Sequence, residues 1–158
     1  MSTRTGDLDP GVMIYFMNKK GMDKTELNKL VNEKSGLLGI SGDSSSMKEL
    51  LARQDDNDRL AIEMFCYQAR KYLGGLVNAL GGLETLVFTA GIGENSPEIR
   101  KQICMNSDYL GIHIDEKRNN DNAKIISGGK SRVTVRVMET NEELMIARHT
   151  RKLISEKR

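Results

Sequence analysis

The sequence predicts an α/β fold with an under-supplied sheet, and three observations carry that expectation. Across the second half, strand patterns alternate with helix patterns, which argues for interleaved rather than segregated elements. Before them, DDNDRLAIEMFCYQARKYLGGLVNALGG repeats apolar residues at helical spacing over its whole length. The first 80 residues contain almost no strand pattern, so the expected sheet lacks layers. Length suggests one unit, residues 1–158, with a mainly helical part (1–82) and a strand–helix part (83–158).

Each element has a local cause. Asp9-Pro10 marks a helix start, with Val12, Met13, Tyr15, Phe16 and Met17 following and Gly21 ending it. Asp23 caps a second helix that places Leu27, Leu30 and Val31 on one face. SGLLGISGDSSS (35–46) reads as a loop, from its glycines and serines. The long helix begins at the Asp/Asn cluster 55–58 and ends at Gly81-Gly82. Gly74-Gly75 within it predicts close approach of another backbone, because interior glycine otherwise weakens a helix. A strand over 85–89 follows, then a glycine loop, a helix over about 96–105 and an extended piece at 111–114. The remainder reads as strand, Ser-Gly-Gly turn, strand and a final helix. Thr140 is its expected cap, with Glu143 completing a capping box.

Composition narrows the function classes. Lys and Arg number 24 against 22 Asp and Glu, a net charge of +2 with no long block of either sign. That balance gives no reason to expect a nucleic-acid or membrane partner. The cations near the end (Arg148, Arg151, Lys152, Lys157, Arg158) are expected to complement a helix dipole. Two cysteines, Cys66 and Cys104, lack metal-site spacing and suit half-buried thiols in a reducing compartment. No apolar leader or bilayer-length stretch is seen, so a soluble cytoplasmic protein is expected.

The stretch VFTAGIGENSPEIR (87–100) concentrates the chemistry. A helix start offers unpaired N–H groups and partial positive charge, and glycine lets a ligand approach the backbone. Yet no Gly-Lys-Ser/Thr follows, and Ser96 stands where a dinucleotide fingerprint would have a third glycine. Spacing alone leaves two readings open, an anion cradle or glycines that serve turn geometry.

The blocks TRTGDLDPG, NEKSGLLGISG, FTAGIGEN, LGIHID and TNEELMIA, in this order, closely resemble the C-terminal blocks of the acetate and propionate kinases. These enzymes are relatives of the sugar kinase, Hsp70 and actin (RNase H-like) ATPases. The resemblance implies the C-terminal half of such a domain. It implies ATP-dependent phosphoryl transfer to acetate, giving acetyl phosphate and ADP, with ATP/ADP and Mg²⁺ as cofactors. By position, Arg4 is implied as an active-site arginine on the transferred phosphoryl. Gly91, Ile92, Gly93, Glu94 and Asn95 are implied as the nucleotide loop, and Glu142 as a carboxylate helping to hold Mg²⁺. Glu142 equally suits a helix-start carboxylate.

Two departures from the family pattern bear on the nucleotide site, while Ser2 and Met138, where glycine and proline are usual, matter less. Ser46 and Lys48 stand where an Asp and an Arg of the nucleotide site are usual. Lysine does not reproduce a bidentate or stacking arginine, so weaker nucleotide binding is expected. The resemblance further implies that the phosphate-loop asparagine, catalytic aspartate and transition-state histidine of a whole enzyme belong to an N-terminal domain. His113 and His149 are not in that histidine's context. The chain alone is therefore expected to be inactive. The expected partners are nucleotide, acetate, a second copy of the chain or an N-terminal half. A stand-alone nucleotide-binding or assembly module, and a decayed remnant, are the alternative readings.

Overall fold

The structure is a computed structural model that describes residues 1–53 and 55–156. It divides into two compact units, Met1–Asn78 and Ala79–Arg158. No helix among the described residues is long and apolar enough to cross a membrane.

The first unit is helical. Helix α1 (Pro10–Lys20) starts with proline and is capped by Asp9, whose carboxylate accepts from the Gly11 amide; Gly21 ends it in the left-handed conformation. Helix α2 (Lys24–Glu33) opens with a full capping box between Asp23 and Glu26. Residues 35–46, expected as a loop, instead contain a short helix, α3 (Gly36–Ser41), followed by α4 (Met47–Arg53). Left-handed Gly36 and Gly42 bracket α3, so the glycines end a helix rather than abolish one. Helix α5 (Asp56–Leu80) is one continuous element that buries Ala61, Ile62, Cys66 and Val77. Its expected close backbone approach is not found at Gly75, where an added Cβ would meet nothing within 4 Å.

Gly36 has a steric role the loop reading missed. At φ +63° its missing Cβ would lie 2.5 Å from the Met1 carbonyl oxygen and 2.9 Å from that of Arg4. The N-terminal segment crosses that point in extended form. Ser35 N–H donates to the Thr3 carbonyl, Leu37 N–H to that of Met1 and Leu38 N–H to that of Ser2. Thr5 N–H donates to the Val31 carbonyl. Arg4 is thus held on a backbone pinned on both sides.

The second unit supplies the β-structure. Strands β1 (Thr85–Phe88) and β2 (Thr134–Val137) pair in parallel, with Thr85 opposite Thr134 and Val87 opposite Arg136. A parallel pair needs a long crossover, and here it holds α6 (Ala90–Asn95), α7 (Pro97–Cys104) and α8 (Glu116–Asn120). The extended pieces expected around 111–114 and before the Ser-Gly-Gly turn reduce to single antiparallel bridges, Ile114 with Ser127 and Ile125 with Arg136. The fold is α/β with a sheet of two strands among the described residues. Its apolar interior gathers Phe88, Ile99, Ile112, Ile126, Val133 and Val135. Cys66 and Cys104 form no disulfide and are buried, more deeply than expected, and burial pushes the Cys104 thiol up to about 12.

Helix α9 (Glu142–Glu156) closes the chain with residues 142–155 all exposed. Its cap is Asn141, not Thr140, since Asn141 Oδ1 accepts from the Leu144 amide at 2.9 Å. Among the described residues its last turn carries no cation. Lys157 and Arg158 lie outside them.

Replacing Gly36 by alanine is expected to lower unfolding stability by on the order of 3 kcal/mol, because the obstructing atoms are backbone and cannot rotate away. Urea unfolding of the variant against the parent chain measures it. A loss below about 1 kcal/mol contradicts the steric assignment.

Candidate functional site

The glycine segment is not the open loop its sequence predicts. Phe88 ends β1, Thr89 is extended, and the chain turns through Ala90 at φ +58° into the single helical stretch α6. The left-handed residue is therefore an alanine, while neither Gly91 nor Gly93 has positive φ. The two glycines do different jobs. An added Cβ at Gly93 would sit 3.3 Å from the Phe88 carbonyl carbon, so Gly93 allows α6 to fold back on β1. At Gly91 it would meet no protein atom within 4 Å. Gly91 thus leaves an open, exposed stretch of backbone where no packing demands glycine.

Five hydrogen bonds hold α6 in place. Asn95 Nδ2 donates to the Gly91 carbonyl at 2.9 Å, closing the segment on itself. The Glu94 carboxylate accepts from Thr140, from its backbone N–H at 2.8 Å and its hydroxyl at 2.9 Å. The Thr140 amide foremost, then its hydroxyl, holds the Glu94 carboxyl below its usual range. From the buried side, Arg100 Nη1 donates to the carbonyls of Gly93 and Glu94, each at 2.9 Å. Ile92, half-buried, completes the segment.

The Glu94–Thr140 contact brings the glycine segment to the start of α9. Two residues beyond Thr140 stands Glu142, exposed, its carboxylate in no hydrogen bond or ion pair among the described residues. Asn141 has taken over the capping task that competed for Glu142 in the sequence reading. No group of three or more His, Cys, Asp or Glu able to hold a metal occurs among the described residues. Glu142 therefore offers one carboxylate, which fits Mg²⁺ only where phosphate and water oxygens complete its shell.

Arg4, Ser46 and Lys48 belong to the first unit. Arg4 is exposed and borders a cavity of about 290 Å³ whose other walls include Asp7, Leu37, Phe65 and Tyr72. Ser46 Oγ accepts from the Glu49 amide at 3.4 Å, so the serine serves as the cap of α4. Lys48 is exposed on the first turn of α4. No hydrogen bond or ion pair joins Arg4 to Ser46 or Lys48 among the described residues. Neither histidine belongs to these groups, since His113 Nδ1 sits 2.7 Å from Asp108 Oδ1 and His149 lies exposed on α9.

Sequence reasoning missed Arg53 and Arg100. Arg53 grips buried Asp58 (3.0 and 2.8 Å) and exposed Asp43 (both 2.8 Å), which raises its pKa through the Asp58 contact first. Its signal was available, because an arginine five residues before an aspartate at a helix start can reach back to it. Arg100 carried no such signal, since its partners lie far along the chain.

The Glu94 contact has a pH signature. Its folded pKa lies below the ordinary value of 4.5, so the contact is complete above pH 4.5 and is lost as pH falls through the lowered pKa. The Thr140 amide resonance is expected to titrate with a midpoint below pH 4.5 and to stop titrating in Glu94→Gln. A midpoint at or above that value contradicts the geometry.

The chain's relatives share this arrangement of blocks. The profile of the Acetokinase family matches residues 1–148. The acetate kinase of Symbiobacterium thermophilum is 48% identical over 98% of this chain, and that of Carboxydothermus hydrogenoformans 44% over 99%. Among solved structures, the Porphyromonas gingivalis acetate kinase superposes with a TM-score of 0.89 at 39% identity over 98% of this chain. A Francisella tularensis propionate kinase gives 0.86 at 39% identity over 93%. The chain spans about 40% of the length of the first three of these relatives and 38% of the fourth. With both the sequence blocks and the backbone in agreement over nearly every residue, this chain belongs to the acetokinase family, corresponding to the C-terminal part of its members.

Proposed function

We propose that this chain is the nucleotide side of an acetate kinase, contributing to transfer of the γ-phosphoryl of ATP to acetate, with acetyl phosphate and ADP as products of a reversible reaction. The observation that carries the reading is Gly91. It is a glycine with open space at its Cα, within a segment held by hydrogen bonds from Asn95, Thr140 and Arg100. A segment held that firmly, with one face bare, suits a ligand that must lie against the backbone.

In this reading Gly91, Ile92, Gly93 and Asn95 face the adenosine and inner phosphates. Glu94 acts through Thr140, fixing the segment against the start of α9. Arg4 presents a planar, permanently charged fork to the transferred phosphoryl, on a backbone pinned by α3. Ser46 and Lys48, at positions where the family has nucleotide-site residues, are assigned to nucleotide binding as well. Glu142 holds Mg²⁺ with phosphate and water oxygens. The ion's chemistry is to neutralise charge on the transferring phosphoryl. What the residues do is position and balance charge, as an in-line transfer requires.

The phosphate-loop asparagine, catalytic aspartate, transition-state histidine and acyl-binding groups of the reaction belong to a complementary N-terminal half, so the isolated chain is inactive in the cytoplasm without it. Exposed apolar side chains on α1 (Ile14, Tyr15, Met17) and α9 (Ile146, Leu153, Ile154) favour association with that half or with a second copy. They are also what a stand-alone assembly module would present.

Calorimetric titration with Mg-ADP tests the nucleotide reading. The parent chain is expected to bind, and Gly91→Val to weaken binding by about tenfold or more (~1.4 kcal/mol) without loss of thermal stability, since the added methyls face open space. Equal affinity in both, or no binding by the parent chain, refutes the assignment. Hydroxamate trapping is expected to detect no acetyl phosphate from the chain alone.

The two departures from the family pattern give a gain-of-binding test. Ser46→Asp keeps a cap for α4, and Lys48→Arg replaces an exposed side chain, so neither should disturb the fold. Together they are expected to tighten Mg-ADP binding by roughly three- to tenfold, ~1 kcal/mol. An unchanged affinity would mean that neither position touches the nucleotide.

A further inference from the structure

Arg100 is a buried charge without a counter-charge. Its side chain is 0% exposed, at the centre of the second unit. All five N–H donors of its guanidinium are used. Nε donates to Asn119 Oδ1 (2.8 Å), Nη1 to the carbonyls of Gly93 and Glu94 (2.9 Å each), and Nη2 to the Asn119 carbonyl (2.8 Å) and Asn122 Oδ1 (2.7 Å). Every acceptor is neutral. No carboxylate lies within 4.0 Å of it among the described residues. Cys104, which also feels its charge, is a neutral thiol with a pKa of about 12.

Burying a guanidinium is costly, and a salt bridge is the usual compensation. Here the fork is fully satisfied while the charge is unbalanced. Two of the five bonds end on the last carbonyls of α6, where a cation also favours the helix end. Asn119 is itself buried and passes the hold on, donating through Nδ2 to the Pro97 carbonyl at 2.9 Å. One side chain thus ties the end of α6, the start of α7 and the α8 turn.

We propose that Arg100 is the positioning residue of the nucleotide segment: its fork fixes Gly93 and Glu94 so that Gly91 stays bare, and its unbalanced charge is answered by the phosphates of the bound nucleotide. The role rests on the nucleotide reading of that segment. Inside a protein such a charge acts over longer range than in water, so no direct contact with phosphate is needed.

The test separates shape from charge using Mg-ADP calorimetry on the whole chain. Arg100→Lys keeps the charge and loses the fork, and is expected to weaken binding about tenfold or more. Asn122→Asp keeps the acceptor and supplies the missing counter-charge at a left-handed position that aspartate tolerates. It is expected to hold or raise thermal stability while weakening binding roughly three- to tenfold. Asn122→Ala, which leaves both bonds to α6 intact, is expected to change affinity by less than about twofold.

Equal effects of the two Asn122 substitutions, or an Asn122→Asp chain that binds like the parent, overturn the charge role; this pair decides even if Arg100→Lys does not fold. A folded Arg100→Lys chain with parental affinity overturns the positioning role. A parent chain that binds no Mg-ADP refutes the nucleotide reading itself. Binding that is lost in Gly91→Val but untouched by these variants sinks only the part assigned to Arg100.

Discussion

The second unit depends on one guanidinium whose five donors are all spent on neutral oxygens. Because those oxygens come from two separate stretches of chain, 93–94 and 119–122, the geometry of each is conditional on the other. The crossover from β1 to β2 contains only short helices, the longest of them eight residues. Helices so short gain little from their own hydrogen bonds. A charged hub compensates by joining α6, α7 and α8 at a single point, and the apolar cluster around Ile99 and Ile112 excludes the water that would compete for it.

The first unit solves a related problem with the opposite balance. Arg53 lies between Asp43 and Asp58, and Asp58 is fully buried. There one guanidinium meets two carboxylates, bidentate on both sides, and fastens α4 to the first turn of α5. The contrast lies in the counter-charge: the Arg53 guanidinium has carboxylate partners, whereas that of Arg100 has none among the described residues. The N-terminal segment adds a steric constraint of its own, since Arg4 lies on a stretch of backbone that passes Gly36 at a distance no side chain would permit.

Apolar surface tells the same story as the chain's share of its relatives' length. Helix α1 buries none of its residues, α9 exposes Ile146, Leu153 and Ile154, and β1 pairs on one side only. Parallel strands normally lie covered on both faces, and a two-stranded sheet is marginal by itself. These exposed faces suit a chain that corresponds to about 40% of the acetate kinases it resembles.

By itself the sequence determined the local events and the family. Helix starts at Asp9-Pro10 and Asp23, the stop at Gly21, the 25-residue helix α5 and strand β1 were all legible, because caps, glycine stops and periodicity act within a few residues of one another. The ordered blocks around Arg4, Gly91 and Glu142 pointed to the acetokinase family for the same reason, being short runs of contiguous residues. Tertiary structure decided what those residues do with their atoms. It wound residues 36–41 and 90–95 into helix, gave Gly91 open space and Gly93 a backbone neighbour, and moved the α9 cap to Asn141 by drawing Thr140 to Glu94. It also placed Arg100 among oxygens up to 22 residues away. Such pairings depend on chain reversal and burial, which no local spacing encodes.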